Sequence, residues 1–257
     1  MTRILVRELK SPVEFGETVN VAKEAWGFGE RALSPANDLI AVTHAGGLTA
    51  AAFEAGRMLG FVHGIPRTNR GVPCLHSHLL AVRPDVQRRG IGVRLKLFQR
   101  AWCLARGIRL VTWTYDPFLV KNATLNLVRL GARATGLLRD FYGPLGGIYG
   151  ALPTDRFEVE WRLEDPDVVA AAEGRAHESG EPPSRAVESP RSVPRDGSPV
   201  ALPILEGAPA VYRRDPKRSL EERIRFRAVA RALFAAGYEA TAIAAHGPRT
   251  VYVMERR

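Results

Sequence analysis

The stretch Leu79-Leu80-Ala81-Val82-Arg83-Pro84-Asp85-Val86-Gln87-Arg88-Arg89-Gly90-Ile91-Gly92 holds the clearest chemical pattern in the chain. An apolar run leads into a turn, then a glycine-spaced loop, then an amphipathic helix. Gly90 and Gly92 remove side chains where a ligand must approach the backbone closely. The unpaired N–H groups and the positive dipole end of the following helix form an anion site. Arg88 and Arg89 add charge. In physical terms this is a cradle for a pyrophosphate. A plain helix start with glycines for flexibility would look the same locally, so the surrounding sequence has to decide. Two competing phosphate fingerprints are absent: there is no G-x-x-x-x-G-K-[ST], and no G-x-G-x-x-G closes a first strand.

Other residues could carry chemistry. His76 and His78 alternate, so in a strand they share a face, and an imidazole titrates near neutrality. Tyr115 and Tyr142 offer hydroxyls. Asp116, before Pro117, suits a turn former, or a carboxylate for a substrate ammonium. Asp155 and Arg156 suit a structural ion pair at a strand start. Arg156 is alternatively a partner for a substrate carboxylate, which arginine grips with paired planar contacts. Cys74 and Cys103 have no metal-ligand spacing and no activating neighbour, so they are read as inert and no metal is expected.

The elements that must position these residues follow from periodicity and punctuation. Strands are expected at Ile4–Leu9, Leu48–Glu54, Met58–His63, Leu75–Val82, Arg109–Thr114 and Phe157–Leu163. Helices are expected at Phe15–Trp26, Pro35–His44, Ile91–Arg106 and Val120–Leu130. The apolar residues at 91, 95, 98, 102 and 105 mark the buried face of the third helix. Residues 1–163 therefore read as one α/β domain. Residues 164–199 are rich in Pro, Ser and Glu and hold no aromatic, so they read as a flexible linker or loop. Residues 200–257 read as a C-terminal appendage, with a helix capped by a Ser219–Glu222 box and running to Ala236, then a strand at Thr250–Met254. The Arg-rich face of 218–231 reads as solvated, and Trp113 and Trp161 as core.

In this context Gln87-Arg88-Arg89-Gly90-Ile91-Gly92, after a Val-x-Pro strand exit, resembles the Q/R-x-x-G-x-G/A signature of the GNAT acyltransferases. The resemblance implies an α/β (α+β) fold, with a mixed, mostly antiparallel, twisted sheet flanked by helices. It implies that the strand before the signature is splayed from its neighbour by a bulge. Leu80, Ala81 and Val82 would then pair with the pantetheine of coenzyme A. Backbone N–H groups of Gln87, Arg88, Arg89, Gly90, Ile91 and Gly92 would hold the pyrophosphate, and Asn122 or Asn126 the thioester region. The later segments Val111-Thr112-Trp113-Thr114-Tyr115-Asp116-Pro117, Phe141-Tyr142-Gly143 and Leu152-Pro153-Thr154-Asp155-Arg156-Phe157 are similar to the GNAT branch associated with N-acylamino acid racemases, to which an amino acid N-succinyltransferase role is assigned.

The resemblance implies direct acyl transfer from acetyl-CoA or succinyl-CoA to an amine, that of a free amino acid. An acceptor on a protein or an antibiotic, or a non-catalytic acyl-CoA-binding regulatory module, are the alternatives. A base must take the amine's proton, and His78 and His76 are the candidates. Many relatives place an acidic tyrosine in the helix after the fifth strand. Here Leu127 stands at that position, which leaves Tyr115 and Tyr142 as substitutes.

Bulk properties narrow the partners. Lys and Arg number 37 against 27 Asp and Glu, a net charge of +10. The basic residues are scattered and no nucleic-acid motif accompanies them, so nucleic acid is not the expected partner. No run of 18 apolar residues is present, so no membrane helix is expected. The start lacks a secretory h-region, which with two cysteines favours a cytoplasmic protein. A homodimer with exchanged tails is an open expectation.

Overall fold

A computed structural model describes residues 3–27, 33–69, 71–143, 152–175, 181–204, 214–247 and 249–256. Two compact units divide the chain, Met1–Trp113 and Thr114–Arg257.

The first unit contains β1 (Leu5–Glu8), α1 (Pro12–Trp26), α2 (Ala36–His44), β2 (Leu48–Glu54), β3 (Arg57–Asn69), β4 (Val72–Val82), α3 (Ile91–Leu104) and the first residues of β5 (Leu110–Tyr115). Local chemistry explains α1 well. Ser11 caps it by accepting from the Glu14 N–H, Pro12 opens it, and Gly27 closes it in the left-handed region. Its inward residues Phe15, Val21 and Ala22 pack with Leu39 of α2 and with Ala51, Phe61 and Ala81 of the strands. Strands β1 to β4 form an antiparallel meander, with Leu5 opposite Phe53, Thr49 opposite His63 and Gly60 opposite Val82. Gly60 is required there: a Cβ would lie 2.6 Å from the Ala81 carbonyl oxygen. Strands β3 and β4 run several residues beyond their expected ends, because continued cross-strand pairing as far as Asn69 opposite Val72 outweighs the polar local sequence.

The second unit contains α4 (Val120–Ala123), which runs on as a π-helical turn over Thr124–Arg129, then β6 (Arg133–Leu138), β7 (Arg156–Arg162), α5 (Pro166–Ala172), β8 (Val200–Ile204), α6 (Pro216–Ala235), β9 (Tyr238–His246) and β10 (Arg249–Arg256). Its strands lie in the order β7-β6-β9-β10-β8. The core is aromatic, with the Phe157 ring 5.7 Å from Phe226 and 5.1 Å from Tyr252. Trp161 is fully buried and its indole donates to the Leu130 carbonyl at 2.8 Å.

Two expectations in this unit are corrected. Asp215, not Ser219, caps α6: its carboxylate accepts from the Arg218 N–H at 3.0 Å, and Pro216 opens the helix. Ser219 lies a turn inside, buried, so no Ser219–Glu222 box forms. Nor is the arginine face of α6 wholly solvated, because Arg223 is 1% exposed. Strands β6, β8 and β9 and helix α5 were not expected from the sequence. Within 164–199 the structure also buries Val168 and Val187.

Candidate functional site

The site in the first unit begins where two parallel strands part. Strand β4 pairs with β5 at Leu75 opposite Val111 and His76 opposite Thr112, and among the described residues the ladder ends there. Just beyond, the register between β3 and β4 shifts: His63 faces Leu79, but Gly64 faces Ser77. His78 is therefore the extra residue of a bulge, which bends a strand and interrupts its pairing. From Ser77 to Val82, β4 keeps its antiparallel partner but has no further pair with β5. This leaves backbone donors and acceptors on the β5 side of β4 at alternate residues, Leu80 and Val82, while Ala81 is turned to β3.

The loop after β4 leads to an open helix start. Arg83 is buried, donating to the Met58 carbonyl at 2.8 Å and pairing with Glu17 and Glu24 of α1, which fixes where β4 ends. Gln87 reaches back to the Val82 carbonyl at 3.4 Å. Arg88 and Gly90 both take positive φ, 71° and 74°. For Arg88 this is strained by about 1 kcal/mol or more. Gly90 stands at the N-cap of α3, where no side chain caps the helix. The first N–H groups of α3 and its dipole thus face an exposed loop. The two arginines differ. Arg89 pairs in bidentate fashion with Glu54 at 2.6 and 2.9 Å, whereas Arg88 is exposed.

Three histidines gather beside the parting strands. The ring of His78 lies 6.2 Å from that of His76 and 6.5 Å from that of His63. His63, in β3, was not singled out from the sequence. It is 2% exposed, and its Nδ1 is 2.8 Å from the Thr49 hydroxyl. His76 Nδ1 lies 3.3 Å from the Thr112 hydroxyl. Burial, then the neighbouring His78, pulls both His63 and His76 down to about 4. His78 is exposed at the surface, and partial desolvation lowers it less drastically. At neutral pH all three are uncharged, and His78 is the most accessible of the three.

The opposite face of β4 holds a charge that the sequence pattern concealed. Lys96 of α3 is 2% exposed. Its ammonium donates to Ser77 Oγ at 3.1 Å and to Gln99 Oε1 at 2.7 Å, and sits 3.8 Å from the centre of the Trp113 ring. Burial pulls it down to about 7. Cys103, also buried, has its thiol pushed up to about 12.

In the second unit the remaining candidates form a separate group. Asp116 is 2% exposed and binds Arg223 at 3.1 Å and Arg156 at 3.6 Å. It also accepts from the Phe118 N–H at 2.9 Å, as a turn former does. The partner of Asp155 is Arg227, at 2.8 Å, rather than Arg156. The Arg156 guanidinium carbon lies 5.3 Å from the centre of the half-exposed Tyr142 ring. Tyr115 is buried, and burial raises its hydroxyl well above the usual phenol range. Asn122 is exposed on α4, Asn126 is buried in the π-helical turn, and Leu127 beside it is fully buried.

The sequence model of the acetyltransferase (GNAT) family matches residues 15–129. The matched segment contains β4, the loop after it and α3. The GNAT fold is also what solved structures share with this chain. A GNAT-family protein from Desulfovibrio desulfuricans superposes with a TM-score of 0.52 at 20% identity, covering 63% of this chain and 99% of its own. The ribosomal-protein-S18-alanine N-acetyltransferase of Escherichia coli superposes with a TM-score of 0.50 at 16% identity, covering 62% and 92%. No curated protein matches the sequence. The parted strand and the uncapped start of α3 both lie inside the matched segment.

Proposed function

We propose that the protein is an N-acyltransferase that moves an acetyl or succinyl group from coenzyme A to the amine of a small molecule, the α-amino group of a free amino acid. The observation that carries this reading is the end of the β4–β5 ladder at His76 and Thr112, next to a helix that starts with a left-handed glycine and no cap. Leu80 and Val82 would bind the pantetheine amides, with Ala81 between them turned to β3. The N–H groups from Gln87 to Gly92 would hold the pyrophosphate, with Arg88 as the nearby charge. The thioester, when bound, supplies the activated acyl group.

His78 is the residue best placed to move the proton. The bulge brings it to the surface beside the parted strand, and its lowered basicity leaves it neutral and able to accept at pH 7. His76 and His63 are held too far down to compete and instead shape the surroundings of His78. Asp116 is engaged by two arginines, so its role in this reading is to hold the second unit together. The free-amino-acid acceptor and the succinyl donor rest on the sequence likeness alone.

A second reading has a specific observation behind it. Leu127 is buried where an acid would stand, and the Tyr115 hydroxyl is buried as well. These favour a coenzyme A-binding module without transfer. One assay separates the two: free-thiol release from acetyl-CoA and succinyl-CoA against a panel of L- and D-amino acids. Release with an amino acid supports the enzyme. Binding of coenzyme A without release to any amine supports the module.

A further inference from the structure

Lys96 lies where β4 and β5 separate. It contacts the residues that follow the last pair of the ladder: Ser77 follows His76 in β4, and Trp113 follows Thr112 in β5. From α3, a cation bonded to a side chain of one strand and stacked on the aromatic ring of the other bridges the two strands. Gln99, one turn on in α3 and fully buried, fixes the ammonium from behind at 2.7 Å. Burying such a cation is costly unless it is well bonded. A hydrophobic residue would fill this part of the α3 face at lower cost. The same helix starts at Gly90 with the open N–H groups of the anion cradle, so one rigid element connects the cradle to the parted strands.

We propose that Lys96 is a positioning residue: by bridging Ser77 and Trp113 it sets the separation of β4 and β5, and so the width of the slot that receives the pantetheine arm of acyl-coenzyme A. This rests on the acyl-coenzyme A reading above and deepens it. Lys96 touches neither substrate. It acts through Ser77 on the β4 backbone that faces the cofactor, and it should therefore influence the donor and not the acceptor.

The test is a double-mutant cycle on steady-state kinetics with Lys96→Met, which keeps the volume, and Ser77→Ala, which removes one bond of the bridge. The expected result is a KM for acyl-coenzyme A raised about tenfold in each variant, as loss of a charged hydrogen bond implies, with the KM for the amine within a factor of two. The double variant should be no worse than Lys96→Met alone, because both remove the same bridge. Should Lys96→Met fail to fold, the Ser77→Ala split decides. Unchanged donor KM, equal rises for both substrates, or additive effects would overturn the proposal while the wild-type enzyme remains an acyltransferase. A wild type that neither binds coenzyme A nor releases thiol would overturn the functional reading and this inference with it.

Discussion

His76 and Thr112 form the last pair between two parallel strands, and their side chains touch as well, Nδ1 to Oγ1 at 3.3 Å. The features of the proposed coenzyme A site follow from that pair. The bulged His78 follows it on one strand, Lys96 bridges the next residues Ser77 and Trp113, and β4 leads away from it towards the uncapped start of α3. In the proposed function the pair closes the ladder and His78, not His76, moves the proton. His76 is held neutral and poorly basic by burial, which suits a hinge between paired and unpaired backbone.

If His78 moves the proton, His78→Ala should lower kcat by about 100-fold or more, with the folded state intact because the ring is exposed. His76→Ala should cost less in kcat and more in stability. In the wild type, the limb of the kcat–pH profile due to the base should lie below pH 6.5, since desolvation lowers His78 from that value. A stopped pH series between 4.5 and 8.5 on both variants checks this.

Stability should depend on pH in two windows. His63 and His76 are held at about 4 in the folded state, against about 6.5 when unfolded. As pH falls from 6.5 towards 4 the unfolded chain takes up protons first, so stability drops, by on the order of 2–3 kcal/mol from His63 alone. Lys96 is held at about 7, against about 10.5. Between those values the unfolded chain again binds the extra proton, so stability rises with pH. Denaturant titrations should show both slopes, and Lys96→Met should flatten only the upper one.

The buried ion pair of Asp116 and Arg223, with side chains 1% and 2% exposed, should be costly to break. Arg223→Met leaves Asp116 with Arg156 at 3.6 Å as its remaining ion-pair partner. A loss of about 3–5 kcal/mol is expected in equilibrium unfolding. A cost under 1 kcal/mol would mean that the pair is not desolvated as the structure has it.

The two arginines of the loop should not be equivalent. Glu54 already engages Arg89, so Arg89→Ala should change coenzyme A affinity less than twofold. Arg88→Ala should weaken it about three- to tenfold at low salt. Calorimetric titration with coenzyme A at two salt concentrations measures both.

The sequence made the strand, loop and helix around Gly90 legible because their signals are local. Gly90 and Gly92, the strand before them and the apolar stripe after them lie within a few residues of each other. The parting of β4 from β5 entered only as an implication of family likeness, since a bulge at His78 depends on a register set by β3. Lys96 and His63 escaped notice for a related reason. Their partners Ser77 and Thr49 lie 19 and 14 residues away, and a lysine beside an apolar stripe reads as solvated until the packing is known. Strand β9 was missed because its Ala-rich sequence has little intrinsic strand preference. Strand β8 was missed because Pro203 interrupts it, and a proline is tolerated there at the sheet edge. For α6, Ser219 and Glu222 had the spacing of a capping box, but Asp215 and Pro216 one turn earlier make the stronger start.

In the proposed function the open edge of β4 and the start of α3 together hold coenzyme A. Hydrogen exchange of the backbone amides, with and without coenzyme A, tests it most directly. Slowed exchange is expected in peptides covering 77–82 and 87–93, with the remaining strands of the first unit unchanged. Binding of coenzyme A that protects neither segment would contradict it.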